Sequence, residues 1–179
     1  MDAASRYLLA CQGLEQPRTQ PVRKALERTF EEHGLPRVVH TDNGPPFAST
    51  GLGALSSLAV WWIKLGIIPE RSAPGHPEQN GRLERFHRTL KAETSNPPQS
   101  TLRGQQREFD AFRTRYNTER PHEALGQRPP ATVYVPSFRP FPHRLPDLEY
   151  GPGVSIRRVR SNGQIKFEKY FSAAPGEGD

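Results

Sequence analysis

An α/β fold is predicted for this 179-residue chain from three observations. Tyr7-Leu8-Leu9-Ala10-Cys11 is a continuous apolar run, the kind of strand that is covered on both faces. Two further short runs, Arg37-Val38-Val39-His40 and Ile67-Ile68-Pro69-Glu70-Arg71, alternate with stretches of helical periodicity, the order that builds a parallel sheet through crossovers. After Asn96 the prolines crowd in, so a compact first part is followed by an extended second part. The expected organisation is a partial catalytic-type α/β core at 1–118, a Pro-rich extended linker or arm at 119–149, and a partial C-terminal β segment at 150–179.

Asp2-Ala3-Ala4-Ser5-Arg6 reads as a turn before the first strand. Thr19 is placed as the cap of a helix over 20–32, where Val22, Ala25, Leu26, Thr29 and Phe30 form one apolar stripe. Gly34 and Pro36 stop it. The strand at residues 37–40 ends just before Asp42, and Asn43-Gly44-Pro45-Pro46 turns the chain sharply. A helix over 52–65 carries Leu55, Leu58, Ala59, Trp62 and Leu65 on one face, and Gly66 ends it. The strand at 67–71 contains Pro69, which hints at an edge. Residues 72–79 form a Pro/Gly loop. A helix over 80–93 follows with Leu83, Phe86 and Leu90 as its stripe. Glu84, Arg88 and Lys91 share another face at i, i+4 and i+7. A further amphipathic helix spans 101–117 with Leu102, Phe109, Phe112 and Tyr116. In the last part, residues 154–160 alternate, Ser161-Asn162-Gly163 signals a hairpin turn, and residues 164–167 return.

Composition narrows the partner. Lys and Arg total 25 against 19 Asp and Glu, giving a net charge of +6 and a pI near 9.8, which favours a polyanion and most often nucleic acid. The apolar fraction is 34%, low for a self-sufficient core, while the 19 prolines are about twice the usual share. The single cysteine, Cys11, excludes an internal disulfide, fits a reducing cytoplasm and reads as a small buried strand residue. No apolar run is long enough to span a membrane, and residues 1–6 lack the layout of a signal peptide.

Two carboxylates stand out. Asp42 falls just past the carboxyl end of a strand, where open α/β sheets place their chemistry. Glu84 lies on the helix that follows the Pro/Gly loop. Carboxylates from separate elements that converge on one point suit Mg2+ or Mn2+ and two-metal phosphoryl transfer. Arg88 and Lys91, on the Glu84 face, would hold phosphates. Each piece has an ordinary alternative. Asp-Asn-Gly is common turn chemistry, and a Glu in a basic helix is commonly a solvated face. His76 and His87 have no partners at zinc-ligand spacing. Arg120-Pro121-His122 reads as a structural clamp.

Taken together, the motifs resemble a family. Thr41-Asp42-Asn43-Gly44 with Phe47, Pro74-Gly75-His76-Pro77 with Gln79-Asn80-Gly81, Glu84-Arg85-Phe86-His87 with Leu90-Lys91, and Tyr116-Asn117 with Arg120-Pro121-His122 resemble the integrase-core transposases of bacterial insertion sequences, relatives of retroviral integrases. The resemblance runs from Asp2 to about Pro140. It implies a ribonuclease H-like fold, an Asp-Asp-Glu triad in which Asp42 matches the second Asp and Glu84 the Glu, a two-metal Mg2+ or Mn2+ site, and DNA strand cleavage and joining by direct attack on phosphorus. His76, Asn80, Arg88 and Lys91 are the expected DNA contacts. A homo-oligomer on DNA is implied, with no membrane and no small-molecule substrate. The chain departs in one place: the residues matching the family begin at the turn at Asp2, so a core lacking its first two strands and its first Asp is expected, with Met1 an internal methionine of a longer reading frame. Such a chain is expected to be inactive alone. The alternatives are a non-catalytic basic DNA-binding or interaction module, and a nuclease with the same core. The hairpin after Val154 resembles the start of a small C-terminal β domain.

Overall fold

The computed structural model describes residues 1–47, 55–72, 81–145 and 151–154. They fall in two compact units, Met1–Pro146 and Asp147–Asp179. Of the second unit only a turn is described, in which the Val154 N–H donates to the Gly151 carbonyl at 3.3 Å. The hairpin expected after Val154 lies outside the described residues.

In the first unit, helix α1 runs Thr19–His33, strand β1 Val38–Thr41, helix α2 Ser57–Lys64, strand β2 Ile68–Arg71, helix α3 Gly81–Thr94 and helix α4 Leu102–Thr118. Arg18, not Thr19, stands at the N-cap of α1 and makes no side-chain capping bond; Thr19 is already helical. At the other end Gly34 has φ 77°, and a Cβ there would lie 2.5 Å from the Ser137 carbonyl oxygen, so only glycine lets the chain leave α1 along this path. Ser56 caps α2 by accepting the Ala59 N–H, and Thr101 caps α4 by accepting the Gly104 N–H.

β1 and β2 form a parallel pair, with Val38 opposite Ile68 and Thr41 opposite Arg71. The crossover between them contains α2. One face of the pair, Val38, His40, Ile68 and Glu70, is exposed; Val39 turns inward against the main core. That core gathers Val22 and Phe30 of α1, Leu35, four residues of α2 including Trp61 and Trp62, and Leu65 and Ile67. A second, smaller core holds Leu8, Phe112 and Tyr116, with Phe86, Leu90 and Cys11 packed against it.

The run at residues 7–11 differs from expectation. It is extended but joins no strand ladder among the described residues. Side-chain amides of α4 take the place of a strand partner. Asn117 accepts the Leu8 N–H (2.8 Å) and donates to the Leu8 carbonyl (3.1 Å). Gln106 accepts the Gly13 N–H and donates to the Cys11 carbonyl, both at 2.9 Å. A buried backbone demands partners of either kind, and two amides supply them.

The Pro-rich stretch after α4 packs along the first unit. Leu35 N–H donates to the Arg139 carbonyl at 2.7 Å and Ser137 N–H to the His33 carbonyl at 2.9 Å. The Arg139 guanidinium donates to the carbonyls of Pro36, Leu65 and Gly66. One side chain thus ties the entry of β1 to the end of α2. Phe141 meets Phe30 and Trp61 beside it.

Candidate active site

Asp42 sits immediately past β1, exposed, at the carboxyl end of the parallel pair. Three contacts hold its loop. The Asn43 amide donates to the Ser72 carbonyl at 2.9 Å, linking the ends of the two strands. The Gly44 N–H donates to Asp42 Oδ1 at 3.1 Å, an Asx turn that sets the carboxylate's direction. Phe47 stacks on Trp62 of the main core, ring centroids 6.1 Å apart at 18°. Below the loop, His40 Nε2 lies 3.1 Å from Ser72 Oγ, and the Ser72 N–H donates to the Thr41 carbonyl at 3.1 Å. The spacing Asp42-Asn43-Gly44 with Phe47 therefore has a local reason: one residue points out, one ties, one turns, one anchors.

Glu84 lies in the first turn of α3, where the positive end of the helix dipole favours a carboxylate. It is exposed, as are Arg88 and Lys91 on the same face. The opposite face of α3 fixes the helix. Phe86 packs on Phe112 and Tyr116 of α4 with centroids 6.2 and 5.6 Å apart. The Gln105 amide donates to the Thr94 carbonyl at 2.7 Å, and Arg120 pairs with Glu93 at 2.8 Å.

Tyr116-Asn117 and Arg120-Pro121-His122 act as a clamp in this arrangement. Tyr116 is buried, Asn117 holds Leu8, and the Arg120 guanidinium stands 5.8 Å from the Tyr116 ring centroid. The His122 ring meets Tyr116 edge-on at 5.0 Å. Burial lowers the His122 pKa, and the nearby Arg120 and Arg6 charges lower it further. Asn117 and Gln106 were not singled out by their spacing; an amide on the inward face of an otherwise apolar stripe was the only signal.

His76 and Asn80 lie outside the described residues. Among the described residues no group of three or more His, Cys, Asp or Glu side chains is placed to hold a metal ion. No described helix is long and apolar enough to cross a membrane.

Two family models, both described as integrase core domain, match residues 1–77 and 65–130. The chain belongs to the integrase-core family. Asp42 falls in the first matched span and Glu84 in the second. An uncharacterized 39.2 kDa protein of insertion element IS476 from Xanthomonas euvesicatoria is 38% identical over 99 residues, covering 55% of this chain and 27% of the relative. The transposase for insertion sequence element IS904 from Lactococcus lactis is 32% identical over 108 residues, covering 59% of this chain and 40% of the relative. The chain therefore spans well under half the length of these curated relatives. Among solved structures, the catalytic core domain of BIV integrase superposes with a TM-score of 0.52 at 21% identity, covering 69% of this chain and 74% of that one. That likeness identifies the fold as the ribonuclease H-like fold of retroviral integrase cores.

Proposed function

We propose that this integrase core serves DNA transposition: metal-dependent cleavage and joining of DNA strands, with Asp42 and Glu84 as two carboxylate ligands of the metal site. The reading is carried by one observation. Asp42 is held by its own turn at the carboxyl ends of a parallel strand pair, within a span that matches the integrase core. The names of the insertion-element relatives support the biological setting, bacterial DNA, which places the activity in the cytoplasm.

The donor set fits Mg2+ or Mn2+. Both side chains are exposed carboxylates, the hard oxygen ligands that these ions prefer over imidazole or thiolate. Bound there, the ions would activate the attacking oxygen and stabilise the leaving one. The chain's own residues do the rest. The Asn43 tie and the Phe47 stack keep Asp42 from swinging with its loop. Arg88 and Lys91 lie beside Glu84 to take DNA phosphates, with His76 and Asn80 completing the contact. The protein works as a homo-oligomer on DNA.

Two carboxylates are one fewer than the Asp-Asp-Glu set that the resemblance implies, so the isolated chain binds the ion weakly and transfers no strand. Paramagnetic titration with Mn2+ tests the pair: Asp42→Asn and Glu84→Gln should each weaken binding about tenfold, the usual effect of losing a ligand-shell member. Unchanged binding in both variants would remove them from the site. Metal-dependent strand transfer by the purified chain, abolished by Asp42→Ala, would overturn the statement that two carboxylates do not suffice.

A further inference from the structure

We propose that the outward ridge of α4 is a docking surface for the phosphate backbone of duplex DNA, separate from the carboxylate site and independent of metal. Arg103, Arg107 and Arg115 are all exposed on this helix. At 3.6 residues per turn, Arg103 and Arg115 lie about 40° and 80° to either side of Arg107, so the three form one ridge. Other arginines of the region are neutralised: Arg113 pairs with Glu32 at 2.7 Å and Arg120 with Glu93 at 2.8 Å. Arg103, Arg107 and Arg115 form no ion pair among the described residues. Arg103 and Arg107 moreover stand at i, i+4, a like-charge spacing that disfavours the helix unless an anion lies over it.

The surface between the arginines is low and lacks free anions. Ala111 is small, and Thr114 and Thr118 direct their hydroxyls back to the carbonyls of Asp110 and Thr114 at 3.1 and 2.9 Å. The Asp110 carboxylate on the flank accepts the Gln106 amide at 2.8 Å. Glu108 is partly buried about 100° round from Arg107, and Glu119 lies past the end of the helix at its C-cap. Along the axis the arginines are spaced about 6 and 12 Å, a row within reach of successive phosphates on one strand. Lys and Arg rows of this kind neutralise phosphates without reading bases. An acidic protein surface offers no such repeat.

The ridge is distinct from the candidate active site. α4 meets Phe86 of α3 through Phe112 and Tyr116, which lie about 140° and 180° round the helix from Arg107. The arginines therefore face away from the helix that carries Glu84.

The test is binding of a short labelled duplex of arbitrary sequence to the full chain in EDTA, by fluorescence anisotropy across a salt series. Metal is absent, so the result does not depend on Asp42 or Glu84 acting as ligands. The chain should bind. The Arg103→Gln/Arg107→Gln/Arg115→Gln variant should lose more than tenfold in affinity at low salt, and its salt slope should flatten by about 2 to 3, the number of phosphates released. Replacing the same three arginines by Lys should keep the slope. A charge-matched variant of exposed cations on α1, Arg18→Gln/Lys24→Gln/Arg28→Gln, should keep most of the affinity. Circular dichroism melting checks that each variant folds. Absent binding in EDTA, equal losses from the two Gln triples, loss in the Lys triple, or tighter binding of poly-glutamate than of duplex would each overturn the proposal, the last in favour of an acidic protein partner.

Discussion

The two candidate carboxylates are held in place by different means. Asp42 stands over the larger core, nine buried apolar residues, with Phe47 stacked on Trp62 directly under its loop. Glu84 rides on a helix whose core has three buried residues, Leu8, Phe112 and Tyr116, with Phe86 and Leu90 partly covered. What the second half lacks in buried apolar surface it supplies with polar cross-links: Asn117 and Gln106 to the N-terminal segment, Gln105 to Thr94, Arg120 to Glu93. Apolar packing is non-directional and positions the strand end by volume. Hydrogen bonds are directional and position α3 by register, but a buried partner left alone is costly. A site assembled from both halves is only as well ordered as the more weakly anchored one.

The largest break of this contrast is Trp62→Ala. Trp62 is 1% exposed and contacts the Asp42 loop through Phe47. Removing a buried aromatic costs about 3–5 kcal/mol, a large share of the roughly 5–15 kcal/mol that holds a domain folded. The urea midpoint should collapse. Trp62→Phe sharpens the point. The Trp62 Nε1 is buried without a partner, so Phe keeps a ring for Phe47 and removes an unsatisfied donor; its midpoint should stay close to wild type. A fall as large as that of the Ala variant would show that the indole's extra volume, not ring contact, carries the loop.

Asn117→Ala is the matching break in the other half. Asn117 is 3% exposed, and its amide is partner to both backbone groups of Leu8. Truncation leaves a buried N–H and C=O unpaired at about 1–3 kcal/mol each before relaxation, so a loss of about 2 kcal/mol is expected, smaller than at Trp62. The distinguishing measurement is amide exchange. Leu8 should lose protection while Ile67, in the main core, keeps its own. Equal loss at both positions would mean the halves unfold as one unit and the contrast is false.

The sequence pattern was informative where one side chain's neighbours decide its place. The stripe of α1 put Val22 and Phe30 inside, Gly34 marked the helix end, and β1 ended just before Asp42, because burial and turn chemistry are local in sequence. Leu55, Leu83 and Leu102 belong to the same kinds of stripe yet are 42, 47 and 44% exposed, since each lies at or before the first turn of its helix, where the stripe overhangs the core. Backbone partners were not legible. The run Tyr7–Cys11 announces an extended chain but not that its partner is an amide 109 residues away. Likewise, prolines announce an extended arm, while the bonds from Ser137 and Arg139 to Leu35, Pro36, Leu65 and Gly66 depend on carbonyls that every residue possesses. For the candidate site, two carboxylates and their settings were readable from type and spacing; the contacts that fix their direction, Asn43 to Ser72 and Gly44 to Asp42, needed the fold.

The smallest expected effect sits where the N-terminal segment, α1, α4 and the Pro-rich arm meet. His33 is 8% exposed, with Nε2 at 3.3 Å from the Leu9 carbonyl and 3.3 Å from Glu32 Oε1. Its ring stands edge-on to Tyr7 and Tyr134, which stack on each other at 4.1 Å. Burial pushes the imidazole pKa below its ordinary 6.5; Glu32 and the Leu9 carbonyl pull it back, and Arg113 and the N-terminal amine push it down again. The folded state thus prefers neutral His33, and below the unfolded pKa the unfolded chain binds more protons. The linked stability is fully present above about pH 7 and is lost as pH falls through 6.5 toward the folded value. His122, lowered by its own burial and by Arg120, contributes with the same sign. Urea midpoints taken between about pH 7 and 5 should therefore fall in the wild type, and fall less in His33→Gln, whose side chain keeps a donor for Leu9 without gaining charge. Because Glu32 partly compensates the buried charge, the difference should be smaller than the cost of Asn117→Ala. A wild-type midpoint that rises on acidification over this range would reverse the sign and show that Glu32, rather than burial, governs the junction.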